Sequence, residues 1–307
     1  MNINYSKYSL ANGMPLILCS DADAIDSYSL RIRNGWTLEA NVLLASYLLK
    51  PNDFFLDFGA NVGCFSAPLA LLSGASGVAV EALPQNVLLL QECIATNKLD
   101  IKIVSGAVLD EDAFVFIEGS SAYGHLSSQE SGVQVRSYKA SSIIDLHKAD
   151  MVKLIKIDIE GAELRCLNGS PLVFQSEMLR HVIFEANGPL CLRNGYMPQD
   201  LIKFFEELNY SVYLINGRRL DKRTSRDFQE FGNCDYIATK DQIDTGILPN
   251  YTFDPIKSDR KIAEVVNALV NMKPQYRKFM LHQLDLIKPD CLGAPSIVKA
   301  IGAAYPT

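Results

Sequence analysis

Carboxylates at the ends of apolar runs, with a glycine turn between them, carry the chemistry that can be read from this chain. Residues 54–66, FFLDFGANVGCFS, run from an apolar segment through Asp57 into a turn holding Gly59, Asn61 and Gly63. Glycine has no Cβ and tolerates φ > 0, so such a turn lets backbone approach a ligand closely. The helix that follows offers free N–H groups at its start. A second apolar run, Val78, Ala79 and Val80, ends in Glu81. An acid about twenty residues after such a turn suits the hydroxyls of a ribose. The turn departs from G-x-G-x-x-G, because Asn61 and Cys64 stand where the second and third glycines belong. A dinucleotide needs the second glycine to seat its pyrophosphate on the backbone; a nucleoside without phosphates does not. The expected ligand is therefore an adenosine compound, S-adenosylmethionine being the common one.

Holding those groups together requires strands that end side by side. Phe54, Phe55, Leu56 and Phe58 read as a strand buried on both faces. From residue 53 onward strand and helix alternate, which implies a parallel sheet with helices on both faces. The pattern predicts helices over 62–72, 84–97 and 198–208, the second with Pro84 in its first turn and Leu88, Leu89, Cys93 and Ile94 inward. It predicts strands over 77–81, 101–105, 114–117, 133–138, 152–159, 181–186, 210–215 and 235–239, with a helix running from Glu160 to Leu167. The Gly/Ser-rich stretch 119–132 is a loop long enough to be mobile or functional, and the charged stretch 218–226 a solvated loop. Upstream, 15–20 and 28–33 are expected to pair as a hairpin. A helix is expected over 36–49, with Trp36 in the core or facing substrate. Lys156 falls on a buried strand and needs a partner, taken to be a nearby acid. Beyond residue 250, Ile262, Val265, Leu269, Phe279, Met280, Leu284 and Ile287 recur at helical spacing. These helices would pack on the main domain, cover the site or join two copies of the chain. The expected divisions are an adaptor over 1–50, the main domain over 51–240 and a helical extension over 241–307.

The net charge of −6 over 307 residues argues against nucleic acid or an anionic membrane as the main partner. No apolar run reaches the roughly 18 residues of a membrane span. The first residues, MNINYSKYSL, lack the apolar core of a signal peptide, so a cytoplasmic location is expected. The seven cysteines are scattered singly, with no C-x-x-C, and read as buried thiols in a reducing compartment. Without G-x-S-x-G, a P-loop or paired C-x-x-C, hydrolase, nucleoside-triphosphatase and zinc readings lack support.

In order and spacing, LDFGANVGCFS, VAVEALPQN, LIKIDIEGAE with LNGS after it, and VIFEAN resemble the FkbM-type S-adenosylmethionine-dependent methyltransferases. The resemblance covers about residues 53–240, and IKIDIEGAELRCLNGS is its most specific piece. It implies a class I methyltransferase: an α/β, Rossmann-like, doubly wound and mostly parallel sheet of about seven strands with the last reversed. Carried over residue by residue, Gly59, Asn61 and Gly63 would wrap the methionine and sugar of the cofactor, and Asp57 would fix the turn through backbone hydrogen bonds. Glu81 would accept both ribose hydroxyls, and the segment around Ala107 would lie along the adenine. Asp158, at the carboxyl end of its strand, would meet the methionine amino group or face the acceptor. One departure is the E-A-L-P of residues 81–84, where the family commonly has E-P-x-P.

Methyl transfer is an in-line displacement, so the protein mainly positions two reactants. A sugar hydroxyl is a poor nucleophile, and a general base would add about 10²–10⁴-fold. Asp158, Glu185 and His125 are the candidates for that base. Asp158, Glu185 and Asn187 are alternatively a set of oxygen ligands for Mg²⁺, although the favoured reading has no metal. Glu160 and Glu163 either touch ligand or simply open a helix, where acids are favourable in any protein. The expected function is O-methylation of a sugar, glycan or glycosylated metabolite, with a small-molecule or glycan acceptor as partner and homo-oligomerisation through the C-terminal helices. A nicotinamide-dependent oxidoreductase, a nucleic-acid methyltransferase and a non-catalytic module of the same fold are the alternatives.

Overall fold

The computed structural model describes residues 1–10, 12–119, 124–127, 132–147, 151–216, 219–227, 229–230 and 232–245. The expected C-terminal helices fall outside the described residues, and with them the oligomer contact assigned to them. The chain divides into two compact units, Met1–Phe184 and Glu185–Thr307.

The first unit opens with an antiparallel hairpin of β1 (Ile3–Ser9) and β2 (Pro15–Asp21). This corrects the expected pairing of 15–20 with 28–33. Residues 28–33 instead lie in helix α1 (Ser27–Gly35), because Asp26 caps it, accepting from the Tyr28 and Ser29 amides at 3.0 and 2.9 Å. The helix expected over 36–49 begins later, as α2 (Ala40–Leu48). Trp36 precedes it in extended backbone, buried against the Tyr8 ring at 5.3 Å between centroids. The single tryptophan therefore serves the core.

The apolar run forms β3 (Phe54–Phe58), followed by α3 (Ser66–Ser73), β4 (Ser76–Glu81), α4 (Pro84–Thr96) and β5 (Ile101–Ser105). Helix α3 starts later than the expected residue 62, because Asn61 and Gly63 both take positive φ and spend residues 59–65 on the turn. On α4, Leu89, Cys93 and Ile94 face inward as expected, but Leu88 is 55 % exposed, and Val87 and Leu90 complete the buried stripe. A small sheet follows, built from β6 (Ala107–Val108), β7 (Phe114–Glu118), β8 (His125–Leu126) and β9 (Val133–Tyr138), in the order β6-β9-β7-β8. Part of the expected 119–132 loop is thus strand β8, paired antiparallel to β7 with His125 opposite Glu118.

Next come α5 (Ala140–His147), β10 (Val152–Ile157), α6 (Glu163–Gly169), α7 (Pro171–Gln175) and β11 (His181–Asn187). The helix expected from Glu160 begins only at Glu163, because Glu160 and Gly161 both adopt positive φ. The main strands of this unit lie in the order β11-β10-β3-β4-β5, with β10, β3, β4 and β5 parallel and residues 181–184 of β11 parallel to β10. Phe55, Leu56, Phe58, Val78, Ala79, Leu154, Ile155 and Ile157 are sealed between its faces. Burying each such large side chain is worth about 1.5–3 kcal/mol, which explains why these strands are continuous apolar runs.

The second unit contains α8 (Gly188–Arg193), α9 (Pro198–Glu207), β12 (Ser211–Asn216), β13 (Arg219–Arg223) and β14 (Asn233–Thr239). Leu201, Ile202 and Phe205 form the buried stripe of α9, whose start is fixed by Asp200 accepting from the Met197 amide at 2.8 Å. The strands run β13-β12-β14, antiparallel throughout. The expected solvated loop over 218–226 is corrected here. Leu220 is buried opposite Ile215, which anchors Arg219–Arg223 as a strand although its other residues are charged and more exposed. Among the described residues the main strands number five in the first unit and three in the second, against the expected seven, and β13 falls where a loop was expected.

Candidate active site

Register brings the predicted residues together. Ile157, Phe58 and Val80 are successive partners across β10, β3 and β4. The next position on each strand is Asp158, Gly59 and Glu81, so these three stand at one edge of a parallel sheet, beyond the carboxyl ends of its strands. Ligands bind at that edge in such sheets.

The glycine turn folds back on β4. The Gly59 and Ala60 amides donate to the Val80 carbonyl at 3.0 and 2.9 Å. The Asn61 amide donates to the Glu81 carboxylate at 2.8 Å, the Leu83 amide donates to it at 2.8 Å and the Asn86 side chain at 3.4 Å. Glu81 is buried, and burial raises its pKa, which the Leu83, Asn61 and Asn86 donors partly offset. A carboxylate has about four lone-pair sites, so Glu81 keeps acceptor capacity after these bonds. The Asn61 Oδ1 is buried with no hydrogen-bond partner among the described residues.

Gly59 takes φ +79°, and a Cβ there would sit 1.8 Å from the Asp158 carbonyl oxygen. The missing side chain makes room for the neighbouring strand end, a constraint from the fold itself. Gly63 lies under Leu90 and Cys93 of α4, 3.1 and 3.4 Å from the position of a Cβ. Burial pushes the Cys64 thiol up to about 12, so it stays protonated and is no nucleophile at neutral pH.

Asp57 is completely buried, and its role differs from the expected bracing of turn amides. Its carboxylate accepts from Ser66 Oγ and lies 3.4 Å from the Lys156 ammonium. The acid that binds a turn amide is Glu81. Lys156 is 7 % exposed, and its ammonium also reaches Asp158 at 3.1 Å and the Gly59 carbonyl at 3.1 Å. The expected acid partner of Lys156 is thus a pair of acids. Asp158 is 33 % exposed and is the member of this cluster that solvent or a ligand reaches.

The Glu163 carboxylate accepts from the Ile159 and Gly161 amides at 3.0 and 3.1 Å, which staples the turn after Asp158. That is a structural task, and Glu160 forms the left-handed bend of the same turn. Ala107 is buried beside Glu81, whose carbonyl accepts from the Gly106 amide at 2.8 Å. With Leu83, Leu109, Ile117, Val135 and Ala162 it forms an apolar cluster, against which Ala82, Leu126 and Ile159 also pack. His125 lies on β8, next to Gly124, whose Cβ position is 2.8 Å from Leu83. The structure brings its strand to the segment after Glu81. Glu185 belongs to the second unit, where it is 7 % exposed at the fifth position of β11.

Sequence reasoning missed Ser66 and Asn86. Both had a signal, since Ser66 opens a helix beside a buried acid and Asn86 lies in the first turn after Pro84. Among the described residues no group of three or more His, Cys, Asp or Glu side chains converges as a metal site. No helix among the described residues is long and apolar enough to cross a membrane.

A family model described as the methyltransferase FkbM domain matches residues 57–212, about half of the chain. No curated protein matches it by sequence. Among solved structures it is similar to a precorrin-6y C5,15-methyltransferase from Geobacter metallireducens GS-15, at 13 % identity and TM-score 0.42, over 72 % of this chain and 94 % of that one. It is also similar to M. jannaschii TYW2 in complex with AdoMet, at 13 % identity and TM-score 0.38, over 76 % and 84 % of the two chains. A third is M. capricolum TrmK with S-adenosylhomocysteine, at 10 % identity and TM-score 0.38, over 88 % and 98 %.

Proposed function

The chain belongs to the FkbM methyltransferase family, and from that premise we propose that it is an S-adenosylmethionine-dependent O-methyltransferase acting on a hydroxyl of a sugar, glycan or glycosylated metabolite. The observation that carries the cofactor reading is the row Asp158, Gly59, Glu81 at one sheet edge. The site is rich in acceptors: the Glu81 carboxylate, the orphaned Asn61 Oδ1 and the Asp158 carboxylate. That set fits a ligand rich in donors, with ribose hydroxyls and an ammonium group, and its acidic character favours a cation. The absence of a second turn glycine fits a nucleoside without phosphates. The hydroxyl acceptor rests on family membership, because enzymes of this family commonly modify sugars and secondary metabolites.

When bound, the cofactor supplies an electrophilic methyl group on sulfur. Glu81 would hold a ribose hydroxyl on its remaining acceptor site, with its own orientation set by the Asn61 and Leu83 amides. Asp158 would hold the methionine ammonium. Its charge is already shared with Lys156, which suits an anchor better than a proton acceptor. Ala107 and its apolar neighbours would flank the adenine. The proton of the acceptor hydroxyl then falls to His125, on the strand brought to the segment after Glu81.

Incubation with labelled S-adenosylmethionine and a panel of mono- and oligosaccharides and glycosylated metabolites tests the reading. Transfer to a hydroxyl, located by mass spectrometry, is the expected result. Loss of the base, by His125→Ala, should then cost about 10²–10⁴-fold in kcat. Transfer only to nitrogen, carbon or nucleic acid would contradict the hydroxyl assignment.

A further inference from the structure

Lys156 is buried beneath the site, outside every role assigned above. Its ammonium donates to the Gly59 carbonyl at 3.1 Å in the turn and forms ion pairs with Asp158 at 3.1 Å after β10 and with Asp57 at 3.4 Å on β3, so it joins three pieces of chain. The Phe65 ring lies 5.6 Å from the same ammonium. The two strand ends also touch directly, since the Asp158 amide donates to the Phe58 carbonyl at 3.1 Å and the Asp158 carbonyl abuts Gly59.

Stability alone does not account for this arrangement. A buried ion pair is often no more stabilising than apolar residues of the same volume. Asp57 by itself would balance the lysine. Asp158 is a third exposed and could be solvated by water without any buried partner. Three charges therefore meet where two would suffice for burial, and the extra one lies on the exposed side.

We propose that Lys156 is a positioning residue: it clamps the glycine turn and the Asp158 carboxylate into one rigid unit, so that the anchors for the two ends of the cofactor keep a fixed spacing before ligand arrives. This rests on the S-adenosylmethionine reading above. Any rotation of Asp158 away from the ammonium breaks an ion pair. Any shift of the turn removes the donor from the Gly59 carbonyl.

The test is the double variant Asp57→Asn with Lys156→Met. It removes one charge of each sign, so the net charge around Asp158 is unchanged. The amide oxygen introduced by Asp57→Asn can still accept from Ser66 Oγ, and methionine fills the space of the lysine stem beside Phe65. The single variant Lys156→Met leaves Asp57 buried without its counter-charge and should lower the Tm strongly; the double variant should recover most of that loss. Calorimetry with S-adenosylhomocysteine then reads the site. The expected result is a dissociation constant raised about tenfold or more over wild type. Unchanged affinity in a double variant as stable as wild type overturns the proposal and leaves Lys156 as a core ion pair. A wild-type protein that does not bind the probe overturns the cofactor reading, and this inference with it. Wild-type protein gives a second readout by ¹⁵N NMR of lysine ammonium groups. A slowly exchanging buried ammonium should shift when S-adenosylhomocysteine is added; one that does not respond overturns the proposal even if the variants fail to fold.

Discussion

Glu81 meets two demands of opposite sign. Burial raises its carboxyl from the ordinary 4.5, and the amides of Leu83 and Asn61 with the Asn86 side chain draw it partly back. An acid raised in the fold contributes stability that is complete below its unfolded value and is lost as pH rises through the folded one. Ligand binding runs the other way, because ribose hydroxyls donate best to an ionised carboxylate. S-adenosylhomocysteine affinity should therefore climb as pH rises above the ordinary 4.5 and through the raised value of Glu81, where Glu81's own contribution to stability of the unliganded protein declines. Glu81→Ala should cost about 10–100-fold in affinity, the loss of hydrogen bonds to a charged group, and should flatten that rise. A variant with wild-type affinity and the same pH curve would remove Glu81 from the site. Its position was legible from spacing to the glycine turn, but its protein donors were not, since they depend on how the turn folds back on β4. The same limit hid the partners of Lys156: a buried lysine demands an acid, but Asp57 lies on a strand far away in sequence, and only register reveals it.

At the scale of elements, the glycine turn is held by close approach as much as by backbone freedom. Gly59 and Gly13 take nearly the same φ, +79° and +80°, but a Cβ at Gly59 would overlap the Asp158 carbonyl, while Gly13 has nothing within 4 Å. Gly13→Ala should cost about 1–2 kcal/mol for the left-handed backbone alone. Gly59→Ala should cost more than about 4 kcal/mol or leave no folded protein, as measured by urea unfolding. Equal costs would show that the approach of Asp158 imposes nothing. The buried parallel strands were readable because each is a short apolar run bounded by turns. Errors arose where one side chain overrode the pattern. Asp26 capped a helix inside an expected hairpin strand, and Leu220, buried among charges, turned an expected loop into β13. Positive φ at Asn61 and Glu160, which a non-glycine residue seldom signals, delayed the starts of α3 and α6.

Over the whole molecule, the family match spans 57–212 and contains the glycine turn, Glu81, Ala107, His125, Asp158 and Glu185. Residues before it belong to the same compact unit as the turn. Tyr5 on β1 donates to Glu92 on α4 at 2.9 Å, and the Ile17 amide donates to the Asn97 side chain at 2.9 Å. The motif order made the family and the fold class legible. The acceptor was not, because the motifs describe the cofactor half of the reaction. Titration calorimetry of the full chain with S-adenosylhomocysteine tests the central claim most directly. The account predicts micromolar binding that needs no added Mg²⁺ and weakens when Glu81 or Asp158 is replaced by alanine. No binding to the wild-type protein, or binding that survives both substitutions, would contradict it.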